Sequence, residues 1–91
     1  MLVLVVYDIA DNRRRHKVST VLEGYGRRVQ ESVFECFLSR DEMKRLHRML
    51  ERQVVAAEDN VRLYWISSGA LAKTLTIGSA EPQPPPNALI F

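Results

Sequence analysis

Apolar and polar positions divide the first half of the chain into a strand pattern followed by a helix pattern. Residues 3–6 are consecutive apolar residues, which predicts a strand buried on both faces. In residues 18–25 the apolar positions recur at helical spacing, and residues 43–54 repeat that spacing. Two amphipathic helices are therefore predicted, each following a strand.

Three further stretches are predicted to be strands: residues 28–38, 61–66 and 73–78. In the first of them the apolar positions change parity near Glu31 and Ser32, which predicts a kink, a bulge or a tight turn. Asp11 or Asn12 is predicted to cap the first helix. Ser39, with a glutamate three residues later, has the spacing of a capping box for the second.

The order of these elements predicts an α+β fold, a ferredoxin-like βαββαβ sandwich with the helices on one face of the sheet and an extra C-terminal strand. Residues 1–78 form one predicted domain, and residues 79–91 form a proline-rich tail that favours polyproline II. A chain of 91 residues buries a modest fraction of its surface. Assembly into a homodimer is therefore expected.

Positive charge is concentrated in one part of the sequence. The net charge is +2, but residues 13–28 contain six basic residues and one acidic residue, so this segment carries +5 and the remainder −3. The six are Arg13, Arg14, Arg15, Lys17, Arg27 and Arg28. Such a concentration indicates a polyanionic partner, of which nucleic acid is the commonest.

Three consecutive arginines open the first helix, where the backbone carries a positive partial charge and cations are unfavourable. A sequence selected for stability alone would place acidic residues there. We therefore predict that Arg13, Arg14 and Arg15 bind phosphate rather than stabilise the fold. The alternative is a solvated charged face without a ligand.

Asp8 ends the first strand, and its carboxylate needs a partner. Arg13, Lys17, a metal ion and a second copy of the chain are the candidates. One carboxylate is a poor magnesium site, but two Asp8 side chains facing each other across a dimer axis would share one ion. Asp11 is expected to be a helix cap and not a ligand.

The other reactive side chains are expected to be structural. Cys36 is the only cysteine and lies in an apolar strand, so it is predicted to belong to the core. Packing is the default role for Tyr7 and Phe34, and the two histidines, His16 and His47, are isolated surface residues. The absence of disulfide pairs, of a secretory signal and of a membrane span predicts a soluble cytoplasmic protein.

Several short segments together resemble the CRISPR-associated protein 2 family, small proteins that partner the CRISPR integrase. They are "YDI" at the end of the first strand, "RRRHKV" at the helix start, "RVQESVFEC" after a glycine turn and "VRLYWI" late in the chain. The resemblance covers roughly residues 1–78. It implies a ferredoxin-like fold and a symmetric homodimer, with the last strand, "TLTIG", crossing to the partner.

The resemblance also implies a magnesium-dependent nuclease, usually an endoribonuclease and sometimes active on duplex DNA, that serves CRISPR adaptation in antiviral defence. The metal-binding aspartate of the family corresponds to Asp8. Its other implicated residues correspond to Tyr7, Ser32 and Phe34, to an arginine within residues 13–15, and to Arg27 or Arg28.

Two alternatives to the nuclease stay open at this point. In the first, the protein is a non-catalytic adaptor that binds DNA through the arginines and bridges integrase dimers. In the second, it is a small-molecule regulatory domain of the same fold. The arginine cluster and the lack of a glycine-rich ligand loop count against the second alternative.

Overall fold

A four-stranded antiparallel sheet with two long helices on one face forms the fold, as seen in a computed structural model that describes residues 1–78. The elements are β1 (Leu2–Asp8), α1 (Asn12–Glu23), β2 (Arg27–Gln30), β3 (Val33–Phe37), α2 (Arg40–Glu51), β4 (Asn60–Ile66) and a short α3 (Ser68–Ala72). The strand order β2-β3-β1-β4 places β1 at the centre. This arrangement confirms the predicted ferredoxin-like α+β sandwich.

The core lies between the sheet and the two long helices. Val18 and Leu22 of α1 and Leu46 and Leu50 of α2 are buried against alternate residues of β1 and β3. Phe34 is fully buried in this cluster. The helical spacing read from the sequence therefore identified the inner faces of both helices correctly.

The two faces of β1 differ in burial. Val3, Val5 and Tyr7 point toward the helices and are buried, whereas Leu4 and Val6 point to the opposite face and are partly exposed. The prediction that β1 is buried on both faces is wrong for the single chain, because both long helices pack on the same side of the sheet. The other side, here called the open face, buries Leu2 at the start of the strand but leaves Leu4 and Val6 without a covering layer in the described part of the chain.

Local signals placed the helix starts and the central turn correctly. The Asp11 carboxylate accepts the backbone N–H of Arg14 at the start of α1, as an N-cap does. Ser39 and Glu42 form the predicted capping box of α2. A turn at residues 31–32 separates β2 from β3, and a register shift interrupts their pairing just before it.

The segment after β4 departs from the prediction. Residues 68–72 form α3, and residues 74–78 are not a strand in the single chain, so the extra strand predicted over residues 73–78 is wrong at this level. The Leu75 and Ile77 side chains are 95% and 106% exposed, which leaves them without an apolar layer to pack on. The predicted tail, residues 79–91, lies outside the described residues.

None of the helices in residues 1–78 has both the length and the apolar character that a bilayer crossing requires.

Candidate functional site

Asp8 is an exposed carboxylate at the end of the central strand. It lies opposite Asn60 in the β1–β4 pairing, and successive strand residues alternate between faces, so Asp8 belongs to the open face with Leu4 and Val6. Within residues 1–78 it forms no ion pair. The predicted pairing with Arg13 or Lys17 is therefore not observed.

Tyr7 and Phe34 lie together on the helix side of the sheet. Their rings are stacked with centroids 6.4 Å apart, and the Tyr7 hydroxyl donates to the Glu31 carbonyl at 3.2 Å. The Arg28 guanidinium lies 5.0 Å from the centre of the Phe34 ring and also donates to the Glu31 carbonyl. The Ser32 carbonyl accepts the Tyr7 backbone N–H at 3.1 Å. These contacts hold the β2–β3 turn against β1.

The family resemblance assigns Asp8, Tyr7 and Phe34 to one functional site, but the structure places them on opposite faces of the sheet. Asp8 is on the open face, whereas Tyr7 and Phe34 are buried on the helix face, with 3% and 0% exposure. Neither ring is available to stack on a base in this conformation. The expectation that both rings pack is confirmed, and their contacts support the β2–β3 turn.

Arg14 is partly buried and is engaged within the chain by Asp59. Its guanidinium makes two hydrogen bonds to the Asp59 carboxylate, at 2.9 Å and 3.2 Å, and the Asp59 side chain is fully buried. The Val55 backbone N–H donates to the same carboxylate at 2.9 Å. The hydrogen bond from Arg14, followed by that from Val55, lowers the pKa of Asp59 below its ordinary value, and the pair raises the pKa of Arg14. Asp59 was not singled out from the sequence, because its partner is 45 residues away.

Arg15 is also engaged inside the chain. Its guanidinium donates to the carbonyl of Ile9 at 2.8 Å, to that of Ala10 at 3.3 Å, and to the Asn12 side chain. These bonds hold the β1–α1 loop in place. The expectation that the arginines of residues 13–15 do not stabilise the fold is thus wrong for Arg14 and Arg15, because each meets acceptors that the linear sequence does not reveal.

The remaining predicted cations are exposed. Arg27 and Arg28 make long ion pairs of 3.9 Å with Glu35 and Glu23, respectively, which are weak at a solvated surface. Arg13 and Lys17 are exposed on α1 and make no ion pair with any residue that the structure describes. These two side chains are the best placed of the six to meet a phosphate.

A polar cleft of about 260 Å³ lies between α1 and the β2–β3 turn. It brings together Arg15 and Arg28, two cations that are 13 positions apart in the sequence, and the Tyr7 hydroxyl. The complete lining is Tyr7, Asn12, Arg15, His16, Ser19, Arg28 and Glu31. The sequence did not indicate that His16 and Ser19 line a site, although His16 is exposed as predicted.

The described part of the chain contains no group of three or more His, Cys, Asp or Glu side chains able to hold a metal ion. Asp8 offers hard oxygen donors suited to magnesium, but a single carboxylate leaves most of the coordination to water or to a second chain. Cys36 is not a ligand or nucleophile at neutral pH, because burial and then the nearby Glu35 raise the pKa of its thiol to about 11.

Comparison with known proteins gives consistent matches along almost the whole chain. The family model described as "CRISPR associated protein Cas2" matches residues 1–74. A curated Synechocystis sp. protein named "CRISPR-associated endoribonuclease Cas2 3" is 40% identical over 89 residues, which cover 98% of this chain and 97% of the relative.

Solved structures agree in fold. A Streptococcus pyogenes Cas2 structure superposes with a TM-score of 0.74 at 30% identity and covers 86% of this chain and 100% of its own. A chain in a structure described as a partial Cas6-RT-Cas1--Cas2 complex gives a TM-score of 0.69 at 30% identity, covering 84% of this chain and 89% of that one. Together with the four-stranded sheet and the exposed aspartate that ends β1, these matches show that the chain belongs to the CRISPR-associated protein Cas2 family.

Proposed function

We propose that this protein is a metal-dependent endoribonuclease of CRISPR adaptation that works as a homodimer. The observation that carries the proposal is the state of Asp8. It is an exposed carboxylate at the end of the central strand, and the arginines that follow it are engaged elsewhere or exposed. The endoribonuclease names of the curated relatives support the same activity.

The open face supports the dimer. Leu4, Val6, Phe37 and Ile66 on this face are each only partly buried, and Tyr64 beside them is 45% exposed. Apolar side chains gathered on one uncovered face indicate a surface that packs against a partner. If two copies pack these faces together, Asp8 from each copy is on the packed side of the sheet, as a shared metal requires.

The exposed segment after α3 fits the same assembly. Leu75 and Ile77 project from residues 74–78 without cover in the single chain. The strands β2 and β4 form the two edges of the sheet, and an exposed edge accepts a further strand from another chain. In the proposed dimer this segment adds to the partner's sheet, which restores the C-terminal strand predicted from the sequence.

The proposed ion is magnesium or another divalent cation, held by two Asp8 carboxylates with water completing the coordination. When bound, such an ion lowers the pKa of a coordinated water and stabilises negative charge that develops on the phosphate. The chain's own cations, Arg13 and Lys17 foremost, hold the nucleic-acid backbone. Contacts of this kind position the strand without reading its bases.

The proposed setting is the cytoplasm, with the CRISPR integrase as the protein partner. The structural match to a chain of a Cas1--Cas2 assembly supports the integrase partnership. A lone thiol such as Cys36, without a second cysteine to pair with, suits a reducing compartment. RNA is the proposed substrate for cleavage, and duplex DNA is the nucleic acid that the protein is proposed to hold during adaptation.

The test is cleavage of RNA and of duplex DNA by the wild-type chain, Asp8→Asn and Asp11→Asn, each with magnesium and with a chelator. Asp11→Asn is the matched control, because it removes the same charge three residues away while asparagine caps a helix as well as aspartate does. We expect RNA cleavage by the wild type and Asp11→Asn in magnesium only, and none by Asp8→Asn.

Equal cleavage rates for wild type and Asp8→Asn would end the catalytic assignment. Binding by all three proteins without cleavage by any would leave the protein as the non-catalytic adaptor.

A further inference from the structure

A groove of about 630 Å³ lies between α2 and the edge strand β4. Its apolar side is formed by Met43 from α2 and by Val61, Leu63 and Trp65 from β4. Trp65 points to the helix side of the sheet yet remains 37% exposed. A large aromatic surface is thus left open in a site that neither Asp8 nor the α1 arginines occupy.

The helix side of the groove is positively charged. Arg40, Lys44 and Arg48 follow one another at four-residue intervals along α2, all are exposed, and none forms an ion pair within residues 1–78. The Arg40 guanidinium lies 5.9 Å from the centre of the Trp65 ring. The groove therefore combines an aromatic and aliphatic floor with a row of cations along one wall.

We propose that this groove is the docking site for the chain's own proline-rich segment, residues 81–86, "EPQPPP". All four prolines of the protein lie in this segment. Proline-rich segments favour polyproline II, which is already extended, so they lose little conformational entropy on binding and dock on aromatic-lined grooves. Trp65 supplies the aromatic surface on which the proline rings pack.

Charge complementarity supports this occupant. Residues 79–91 contain Glu81 and no lysine or arginine, so the segment brings only negative charge to a wall of unneutralised cations. A nucleic-acid strand would also match the cations, but a phosphate backbone makes no use of the Met43, Val61 and Leu63 floor. The apolar floor between Trp65 and the cations therefore favours the proline segment.

The connection to the segment is long enough. β4 ends at Ile66, directly after Trp65 of the groove, and α3 follows as a helix of five residues. The eight residues 73–80 then span up to roughly 27 Å when extended. This reach lets the segment enter the groove of its own chain or, where residues 74–78 pair with a second copy, the groove of that copy. The docking is argued from Trp65 and the α2 cations, so it does not depend on the proposed nuclease or on Asp8.

Trp65 is the only tryptophan, so its fluorescence reports on the groove directly in the full-length protein. Quenching by acrylamide should be compared between the wild type and a variant with Pro84, Pro85 and Pro86 replaced by serine. The matched control replaces Leu89 and Ile90 by serine, further along the same tail. Because 37% of Trp65 is open in the empty groove, we expect about half the quenching, or less, in the wild type and the control relative to the proline variant.

A second pair of variants tests the groove wall. In a chain with the wild-type tail, Lys44→Glu with Arg48→Glu should raise the quenching of Trp65. In the proline variant the same two substitutions should not raise it further, because the segment is then already released from the groove. A rise of equal size in both tails would mean that the wall affects Trp65 without the segment, and would overturn the proposal.

Three further outcomes also overturn the proposal. The first is equal quenching in the wild type and the proline variant. The second is increased quenching of Trp65 in the control with Leu89 and Ile90 replaced by serine, which would assign the groove to the end of the tail. The third is protection of Trp65 from quenching that arises only when RNA or duplex DNA is added, and to the same extent in the wild type and the proline variant. If the shielding of Trp65 persists on dilution, the segment occupies the groove of its own chain. If the shielding is lost on dilution, the segment occupies the groove of a second copy. Both outcomes support the docking.

Discussion

The Arg14 guanidinium holds the Asp59 carboxylate at two points, with Nε 2.9 Å from Oδ2 and Nη2 3.2 Å from Oδ1. The pair joins the first turn of α1 to the loop that precedes β4, and the same carboxylate accepts the Val55 backbone N–H. A cation at an unfavourable helix position therefore neutralises a buried carboxylate.

Removing either partner of this pair should lower the melting temperature. Arg14→Gln leaves the Asp59 carboxylate buried without its cation, so we expect a clear fall, and Asp59→Asn should give a fall that is not additive with it. Arg13→Gln is the matched control, since Arg13 is exposed without an ion pair in residues 1–78, and it should leave the melting temperature unchanged or slightly higher. Thermal unfolding followed by circular dichroism should be measured for the wild type, the three single variants and the Arg14→Gln/Asp59→Asn double variant.

The same pair should make stability fall in acid. Because the pKa of folded Asp59 is lowered, its contribution is fully present above the ordinary aspartate pKa of about 3.9 and is lost as pH falls through the lower folded value. The melting temperatures of wild type and Asp59→Asn should therefore converge as the pH falls through this range. A constant difference between them would show that the carboxylate charge does not matter.

Nucleic-acid binding should depend on Arg13 and Lys17 more than on Arg14. For duplex DNA, each lost phosphate contact should reduce the slope of log affinity against log salt by about 0.9. We expect this reduction for Arg13→Gln and for Lys17→Gln, measured by fluorescence anisotropy across a salt series. Arg14→Gln should leave the slope unchanged, and a reduced slope for that variant would show that Arg14 leaves Asp59 to bind phosphate.

Gly26 is required by its close approach to β3. A Cβ at this position would lie 2.5 Å from the Cys36 Sγ, 2.8 Å from its Cα and against the Glu35 carbonyl oxygen. Gly26→Ala should therefore lower the free energy of unfolding by about 1–3 kcal/mol or more, because the backbone of β3 must move to admit the methyl group. Urea unfolding measures this change.

Gly69 offers a matched control for Gly26. It lies in α3, and a Cβ there meets nothing within 4 Å. Gly69→Ala should be neutral or stabilise by up to about 1 kcal/mol, since alanine favours a helix. Similar effects of the two substitutions would contradict the close packing of Gly26.

The proposed dimer should depend on the apolar side chains of residues 74–78. Replacing Leu75 and Ile77 by serine removes two side chains per copy that the proposed dimer would bury, which should weaken dimerisation by at least about 100-fold. Sedimentation equilibrium at micromolar concentration measures the change. The control replaces Thr74 and Thr76 by serine in the same segment and should leave the dimer intact, whereas equal dimerisation of both variants would exclude this segment from the interface.

The sequence by itself determined the elements and much of the core. The apolar spacing in α1 and α2, the caps at Asp11 and Ser39, and the parity change before the β2–β3 turn are local signals, because each depends on residues within a few positions of one another. The strand that ends in Asp8 and the basic opening of α1 were also visible, as was the family that they resemble.

Only the tertiary structure decided which side chains are available. Arg14 is engaged because Asp59, 45 residues later, folds beneath it, and β1 has one open face because both long helices pack on the other. The separation of Asp8 from Tyr7 and Phe34 follows from the pairing of β1 with β3 and β4, which fixes the face that each residue occupies. The α2–β4 groove was missed for the same reason: Trp65 and the α2 cations are distant in sequence, and packing of the helix beside the edge strand brings them together.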